Sequence, residues 1–247
     1  MIEKIESLVG PILRHLLLEE QGCTSEVSRI ETGEGTFILK KASLPRYRNW
    51  LKKEAQVLQR VQGYVAVPGF IGFWESERDS YLLMEYIEGI SLTSALKRAN
   101  DGEERLVLIR SFGDFLHRFH ERAPLVGGEK GDWLERVWQE AEPYVRAGET
   151  DGDKALSEQL KEERPASVNP TMIHGDCNPD NVLVVDGEVN CLIDVSGMTV
   201  GDPRYDESLA IGKFTGEERD AFYEGYKRYR VSDEEFTYFY HGMYELF

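Results

Sequence analysis

Residues 174–183 read HGDCNPDNVL and residues 192–196 read LIDVS. The first stretch carries Asp176 and Asn181, the second Asp194, and the chain between them is largely apolar. VLVV (182–185) and EVNCLID (188–194) flank Asp186-Gly187, a dipeptide favoured in two-residue hairpin turns. The spacing therefore predicts a β-hairpin that returns Asp194 to the neighbourhood of Asn181 and of Asp176 in the loop before it.

Oxygen-bearing side chains at the open end of a hairpin suit Mg²⁺, a hard ion that takes carboxylate and amide oxygens and keeps positions for phosphates. Asn181 and Asp194 are the expected ligands. Asp176 would then face a reacting phosphoryl group and orient an attacking hydroxyl or accept its proton. Phosphoryl transfer asks for positioning and charge neutralisation, so a lysine from a neighbouring strand should reach the phosphates. Lys40 ends the apolar run TFILK, and Glu54 on the following helix is placed to pair with it. Lys41 is the competitor, but adjacent strand residues point to opposite faces, and TFILK continues directly into Lys40.

Outside these residues the chain reads as an ordinary globular sequence of 247 residues, 41% hydrophobic and 30% charged. No run is long and apolar enough for a membrane helix, and the acidic start MIEKIESLVG lacks a signal-peptide pattern, so a cytoplasmic location is expected. Cys23, Cys177 and Cys191 are far apart and form neither a disulfide framework nor a zinc pattern. A net charge of −16 argues against nucleic acid as a partner. That charge is unevenly divided: residues 1–86 hold 12 acids and 11 bases, whereas residues 87–247 hold 33 acids and 18 bases. Such a division suits a near-neutral nucleotide lobe joined to an acidic lobe that collects a cation.

Along the chain, an opening helix is expected first, then strands over TSEVSRI and TFILKKA around the turn ETGEG. A helix over 46–62 follows Pro45, and GFIGFWE and YLLMEYI give two further strands. This small sheet with one helix is complete by residue 87. Beyond Gly89 the pattern turns mostly helical, in SLTSALKRA, EERLVLIRSFGDFLHRFHE, DWLERVWQEAEPYV and KALSEQLKEE. The expected organisation is an α+β fold with an N-terminal lobe at 1–87 and a C-terminal catalytic lobe at 88–247.

HGDCNPDN followed by LID resembles the catalytic motif of the aminoglycoside phosphotransferase and choline kinase superfamily, whose fold is related to the protein kinases. Within it the sequence is most similar to the aminoglycoside 3'-phosphotransferases, through LLMEYIEG, DGEVNCLID, GDPRYDESLA and the ending YELF. The resemblance implies a protein-kinase-like bilobal fold, with a small antiparallel-sheet N-lobe, a mostly helical C-lobe and an ATP site between them. It implies that backbone groups of Glu85, Tyr86 and Ile87 meet the adenine edge, that Ile38 lies against the ring, and that GCTSEV covers the phosphates, with Gly22 and Thr24 near them. Glu245 and the Phe247 carboxylate would help to bind a polyamine-like sugar. His174 would orient the loop. Three positions depart from the family pattern: Tyr244 stands where an acidic residue often precedes the last glutamate, Gly197 where an arginine often follows the metal aspartate, and Pro179 at a loop position that can be acidic.

The leading expectation is an enzyme that moves the γ-phosphate of ATP to a hydroxyl of a small cationic acceptor, above all an aminoglycoside, which would make it an antibiotic-resistance enzyme. Choline, ethanolamine, a fructosamine or homoserine are alternative acceptors. A nucleotide-binding regulatory pseudoenzyme is the alternative of another class, opposed by the joint presence of Lys40, Asp176, Asn181 and Asp194. Only eleven residues separate Asp194 from Asp206, too few for a peptide-docking activation segment. Asp180 reads as a solvated loop acid, and His117 and His120 as core histidines. Asp202 and Asp206 read as a carboxylate turn and helix cap supporting the catalytic loop, and the stripes FYEGYKRYR and FTYFYHGMY as packing.

Overall fold

A computed structural model describes residues 1–19, 21–123 and 131–247. The chain divides into two compact units, Met1–Gly89 with Cys191–Gly197, and Ile90–Asn190 with Met198–Phe247. The short segment that carries Asp194 thus groups with the N-terminal residues, which a single boundary at 87/88 does not express.

The first unit begins with helix α1 (Ile2–Val9) and strands β1 (Ile12–Leu17), β2 (Glu26–Thr32) and β3 (Thr36–Ala42). Helix α2 (Pro45–Val61) and strands β4 (Phe70–Glu75) and β5 (Ser80–Glu85) follow. The five strands form an antiparallel sheet in the order β1-β2-β3-β5-β4. β1 corrects the expectation of one opening helix. Gly10, with φ of 80°, and Pro11 stop α1 at Val9, and the leucine-rich stretch after them pairs with β2. Leucines favour helix in isolation, and tertiary pairing overrides that weak preference.

β3 lies between β2 and β5, with Lys40 opposite Val27 on one side and Leu82 on the other. Alternation sends Phe37 and Leu39 into a core with Ile5, Val9, Ile30, Tyr81 and Leu83, and puts Ile38, Lys40 and Ala42 on the opposite face. α2 packs on that sheet and on a 3₁₀ turn at Val195–Gly197. Its buried positions Leu51, Glu54, Ala55, Leu58 and Val61 recur at helical spacing, so Glu54 belongs to the packed face. The N–H of Leu192 donates to the Ala66 carbonyl at 2.9 Å, fastening the returning segment.

The second unit holds β6 (Ile90–Ser91) and helices α3 (Leu92–Arg98), α4 (Gly102–Arg122), α5 (Trp133–Ala147) and α6 (Lys154–Glu162). The strands β7 (Thr171–Ile173), β8 (Val182–Val185), β9 (Glu188–Leu192) and β10 (Thr199–Gly201) precede helices α7 (Pro203–Ala210), α8 (Glu217–Gly225) and α9 (Asp233–Tyr240). A further 3₁₀ turn spans Met243–Leu246. β6, β8 and β9 form one small sheet, β7 and β10 another. The hairpin turn falls at Asp186-Gly187, both in the left-handed region at φ of 52° and 84°. β7 and β10 are three residues each, too short for a periodic signal, and were not expected. Trp138, Leu160, Ile173, Tyr205, Leu209, Phe239, Met243 and Leu246 belong to one buried cluster. Among the described residues no helix is long and apolar enough to cross a membrane.

α4 and α8 meet backbone to backbone. A Cβ on Gly113 would stand 2.0 Å from the Phe222 carbonyl oxygen, and one on Gly225 would stand 2.2 Å from that of Arg110. Gly113→Ala therefore forces the helices apart. Overpacking of this kind costs about 1–3 kcal/mol, more than the alanine gains in helix preference. A lowered denaturant midpoint with unchanged slope is the expected result, and a midpoint equal to the parent's would refute the close contact.

Candidate active site

Unit two places the His-Gly-Asp stretch in the loop that leaves β7. Asp206, fully buried in α7, accepts the backbone N–H of His174 at 2.6 Å and of Gly175 at 2.8 Å. Gly175 sits at φ of 84°, a conformation that suits glycine. Behind Asp206, His120 Nε2 lies 3.3 Å from its Oδ2, and His120 Nδ1 lies 2.9 Å from the Tyr226 hydroxyl. The loop is thus fixed from β7, α7, α4 and Tyr226 together. Asp202 is the N-cap of α7, accepting the Arg204 N–H at 3.0 Å, so the cap and the loop support fall to different aspartates.

Asp176 is the focus of this loop. Asn178 Nδ2 donates to its Oδ1 at 2.8 Å, and Asn181 Nδ2 donates to its Oδ2 at 2.7 Å and to its carbonyl at 2.8 Å. Both partners of Asn181 Nδ2 are oxygens, so the amide NH₂ must face Asp176, and Asn181 Oδ1 is left as an acceptor. Burial raises the pKa of Asp176 above the ordinary aspartate value, against the opposing pull of His174 and the two asparagine amides. Tyr244 is likewise pushed up, by burial first and by the neighbouring Asp176 charge next. Pro179 accepts the Thr93 N–H at 3.1 Å, and exposed Asp180 is 3.9 Å from Lys213.

Unit one assembles a second group. Lys40 Nζ donates to Glu54 Oε1 at 2.7 Å and pairs with Asp194 Oδ1. Lys40 and Glu54 are buried, whereas the Asp194 side chain is about half exposed at 47%. Asp194 has φ of 56°, a left-handed conformation uncommon for a residue other than glycine and frequent at functional positions. Lys41, on the other face, is only partly buried.

Ile38 shares the face of Lys40. Gly22 and Thr24 lie in the connection between β1 and β2. Gln21 braces that connection: its Nε2 donates to the Leu18 and Val27 carbonyls at 2.6 and 2.9 Å, and its Oε1 accepts the Val27 N–H at 2.8 Å. Of Glu85, Tyr86 and Ile87, the first two already donate their N–H groups, to Gly69 at 2.8 Å and Thr36 at 3.3 Å. Among the described residues the Ile87 N–H makes no such bond, which leaves it as the donor of the segment. At the C-terminal turn, the Glu245 carbonyl accepts the Gly152 N–H at 2.6 Å, its side chain is partly exposed, and Phe247 is exposed.

Sequence reasoning missed Asn178 and Gln21. Only Asn178 had a signal available, since an asparagine two residues after an aspartate is a common local hydrogen-bond partner.

Among the described residues no group of three His, Cys, Asp or Glu side chains is disposed to hold a metal. The Asn181 amide oxygen and the second oxygen of Asp194 nonetheless have the chemistry Mg²⁺ takes, alongside phosphate oxygens.

A buried lysine–carboxylate pair on an antiparallel sheet and a braced His-Gly-Asp loop in a helical unit define a phosphoryl-transfer enzyme. The chain belongs to the phosphotransferase enzyme family, which it matches over residues 19–240. It is a phosphotransferase with an alcohol group as acceptor, of the aminoglycoside phosphotransferase type.

Among its relatives is an aminoglycoside 3'-phosphotransferase of Escherichia coli, 25% identical over 203 residues, covering 78% of this chain and 73% of the relative. The crystal structure of an aminoglycoside 3'-phosphotransferase of type VIII superposes with a TM-score of 0.78 at 25% identity, covering 95% of this chain and 93% of the other. An aminoglycoside phosphotransferase from Streptomyces rimosus shares the fold at 16% identity with a TM-score of 0.72, covering 99% and 96% of the two chains.

Proposed function

We propose that this enzyme transfers the γ-phosphate of ATP to a hydroxyl of a small cationic acceptor, with an aminoglycoside as the first candidate. The observation that carries the reading is Asp176: a partly buried carboxylate of raised pKa, aimed by Asn178 and Asn181. A base so held takes the proton of an acceptor hydroxyl as its oxygen bonds to phosphorus. Lys40, kept in place by Glu54, would exchange Asp194 for phosphate oxygens and neutralise their charge. Asn181 Oδ1 and Asp194 would hold Mg²⁺, which supplies charge neutralisation across the phosphate oxygens when bound. Ile38 and the Ile87 N–H would serve the base of the nucleotide, Gly22 and Thr24 its phosphates, and Glu245 and the Phe247 carboxylate the acceptor.

Two solved relatives support ATP as the donor: aminoglycoside phosphotransferase structures that share the fold hold ADP or AMP-PNP together with hygromycin B. The acidic excess of residues 87–247 supports a cationic acceptor. A second reading, a metabolite acceptor such as choline, ethanolamine, a fructosamine or homoserine, is favoured by Tyr244, which removes one acid from the C-terminal turn. An ADP-release screen over aminoglycosides with and without a 3'-hydroxyl and over these metabolites, followed by mass spectrometry of the product, separates the two. If an aminoglycoside is the acceptor, expression in the cytoplasm of a susceptible bacterium confers resistance.

Asp194→Ala should weaken Mg-ATP binding itself by about 10–100-fold, on the scale of lost metal-site interactions, as read by titration calorimetry. Unchanged affinity would remove Asp194 from the nucleotide site.

A further inference from the structure

Asn178 opens a four-residue turn just after Asp176. Its carbonyl accepts the Asn181 N–H at 3.0 Å across Pro179 and Asp180, and its own N–H donates to the Asp176 carbonyl at 2.9 Å. Asparagine at the first position and proline at the second favour such a turn, because the proline ring fixes its own φ. The Asp180 N–H therefore points back at Asn178 and donates to its side-chain Oδ1 at 2.9 Å. That bond sets the orientation of the Asn178 amide. With Oδ1 on a donor, Nδ2 is the atom that faces Asp176, and it donates to Oδ1 of the carboxylate at 2.8 Å. The flipped amide would set NH₂ against the Asp180 N–H and oxygen against oxygen, two repulsions in place of two bonds. Asn181 holds the other carboxylate oxygen, at 2.7 Å. One amide alone leaves the carboxylate free to turn about that bond, whereas two amides on different oxygens fix its plane. Asn181 is also the expected magnesium ligand, so replacing it disturbs metal and base together. Asn178 offers the cleaner separation, since its bonds described above stay within residues 176–181.

We propose that Asn178 is a positioning residue for the phosphoryl transfer: its amide, oriented by the Asn178-Pro179-Asp180 turn, holds the Asp176 carboxylate at the angle from which it takes the acceptor's proton. This rests on the reading of Asp176 as the base. Asparagine suits the position because a short amide carries both an acceptor for the turn and a donor for the carboxylate. An aspartate there would keep the bond from Asp180 and lose the donor to Asp176, and an alanine would lose both. The two roles, shaping the turn and holding the base, can therefore be separated at one position.

The test uses the full chain with Mg-ATP and the acceptor identified by the screen. Asn178→Asp should lower kcat by about 10–100-fold, the scale of one hydrogen bond to a charged group, while Mg-ATP affinity by calorimetry stays at the parental value. Asn178→Ala should lower kcat at least as far. A double-variant cycle gives the second readout. Added to Asp176→Asn, Asn178→Ala should change the residual kcat by less than about twofold, because the group that Asn178 positions is already gone. A residue that only shaped the loop would lower kcat by the same factor in both backgrounds. Parental kcat in Asn178→Asp overturns the proposal, as does an Asn178→Ala loss of equal factor with and without the Asp176 carboxylate. Full turnover in Asp176→Asn alone would instead overturn the base assignment, so the two failures are told apart.

Discussion

Asp176→Asn should lower kcat by about 10²–10⁴-fold, the range that general-base catalysis supplies, while Mg-ATP affinity stays at the parental value. The substitution keeps the shape of the side chain and removes its proton-accepting oxygen. It also sets an amide NH₂ against a donor, because Asn178 approaches one carboxylate oxygen and Asn181 the other. Unchanged nucleotide binding is therefore the control that separates lost chemistry from a displaced loop. The pH profile gives an independent reading. Burial raises the Asp176 pKa, so the ionised form needed to accept a proton is lost at a higher pH than for an ordinary aspartate. The acid limb of kcat/KM should accordingly lie above the usual aspartate range, activity falling as pH drops through it, and the limb should disappear in the residual activity of Asp176→Asn. A variant with parental kcat would end the assignment.

Asp206→Ala should have the largest effect on stability. It removes the acceptor for the buried N–H of His174 and the half-buried N–H of Gly175, and the partner of His120. One buried and one half-buried donor without an acceptor cost about 2–4 kcal/mol together. A marked loss of denaturant midpoint is expected, with a loss of turnover although Asp206 is placed behind the loop and not against substrate. Tyr226→Phe, which removes only the outer partner of His120, should do much less. An Asp206→Ala protein as stable and as active as the parent would show that the loop holds its shape by other means.

How much of this was legible beforehand depended on whether a residue's role is local. Lys40 and Glu54 could be paired from the sequence because strand alternation fixes the face of one and helical spacing the face of the other. The Asp186-Gly187 hairpin was legible because its dipeptide and its flanking strands agree. β1 was not, since six residues whose pairing partner is the next strand carry no helix-breaking mark after Pro11. His120 was readable as a core histidine but not as the link from Tyr226 to Asp206, which joins residues 86 and 106 positions apart in the chain. The aromatic stripes near the end divide in a way that composition could not indicate. Phe222, Tyr226 and Phe239 are buried, while Phe236, Tyr240 and Tyr244 form a partly exposed column. Tyr244 stood out only as a departure from a family pattern, and its stacking on Tyr240 depends on the tertiary structure of the C-terminal turn.

The sheet unit is not one continuous stretch, because Cys191–Gly197 completes it against α2. During synthesis the ribosome must deliver about a hundred further residues before that piece arrives, so the early part of the chain waits unfinished while the helical part emerges. A fragment cut after Gly89 would lack Asp194 and the turn that α2 packs on, and grafting this half onto another scaffold requires two insertions, not one.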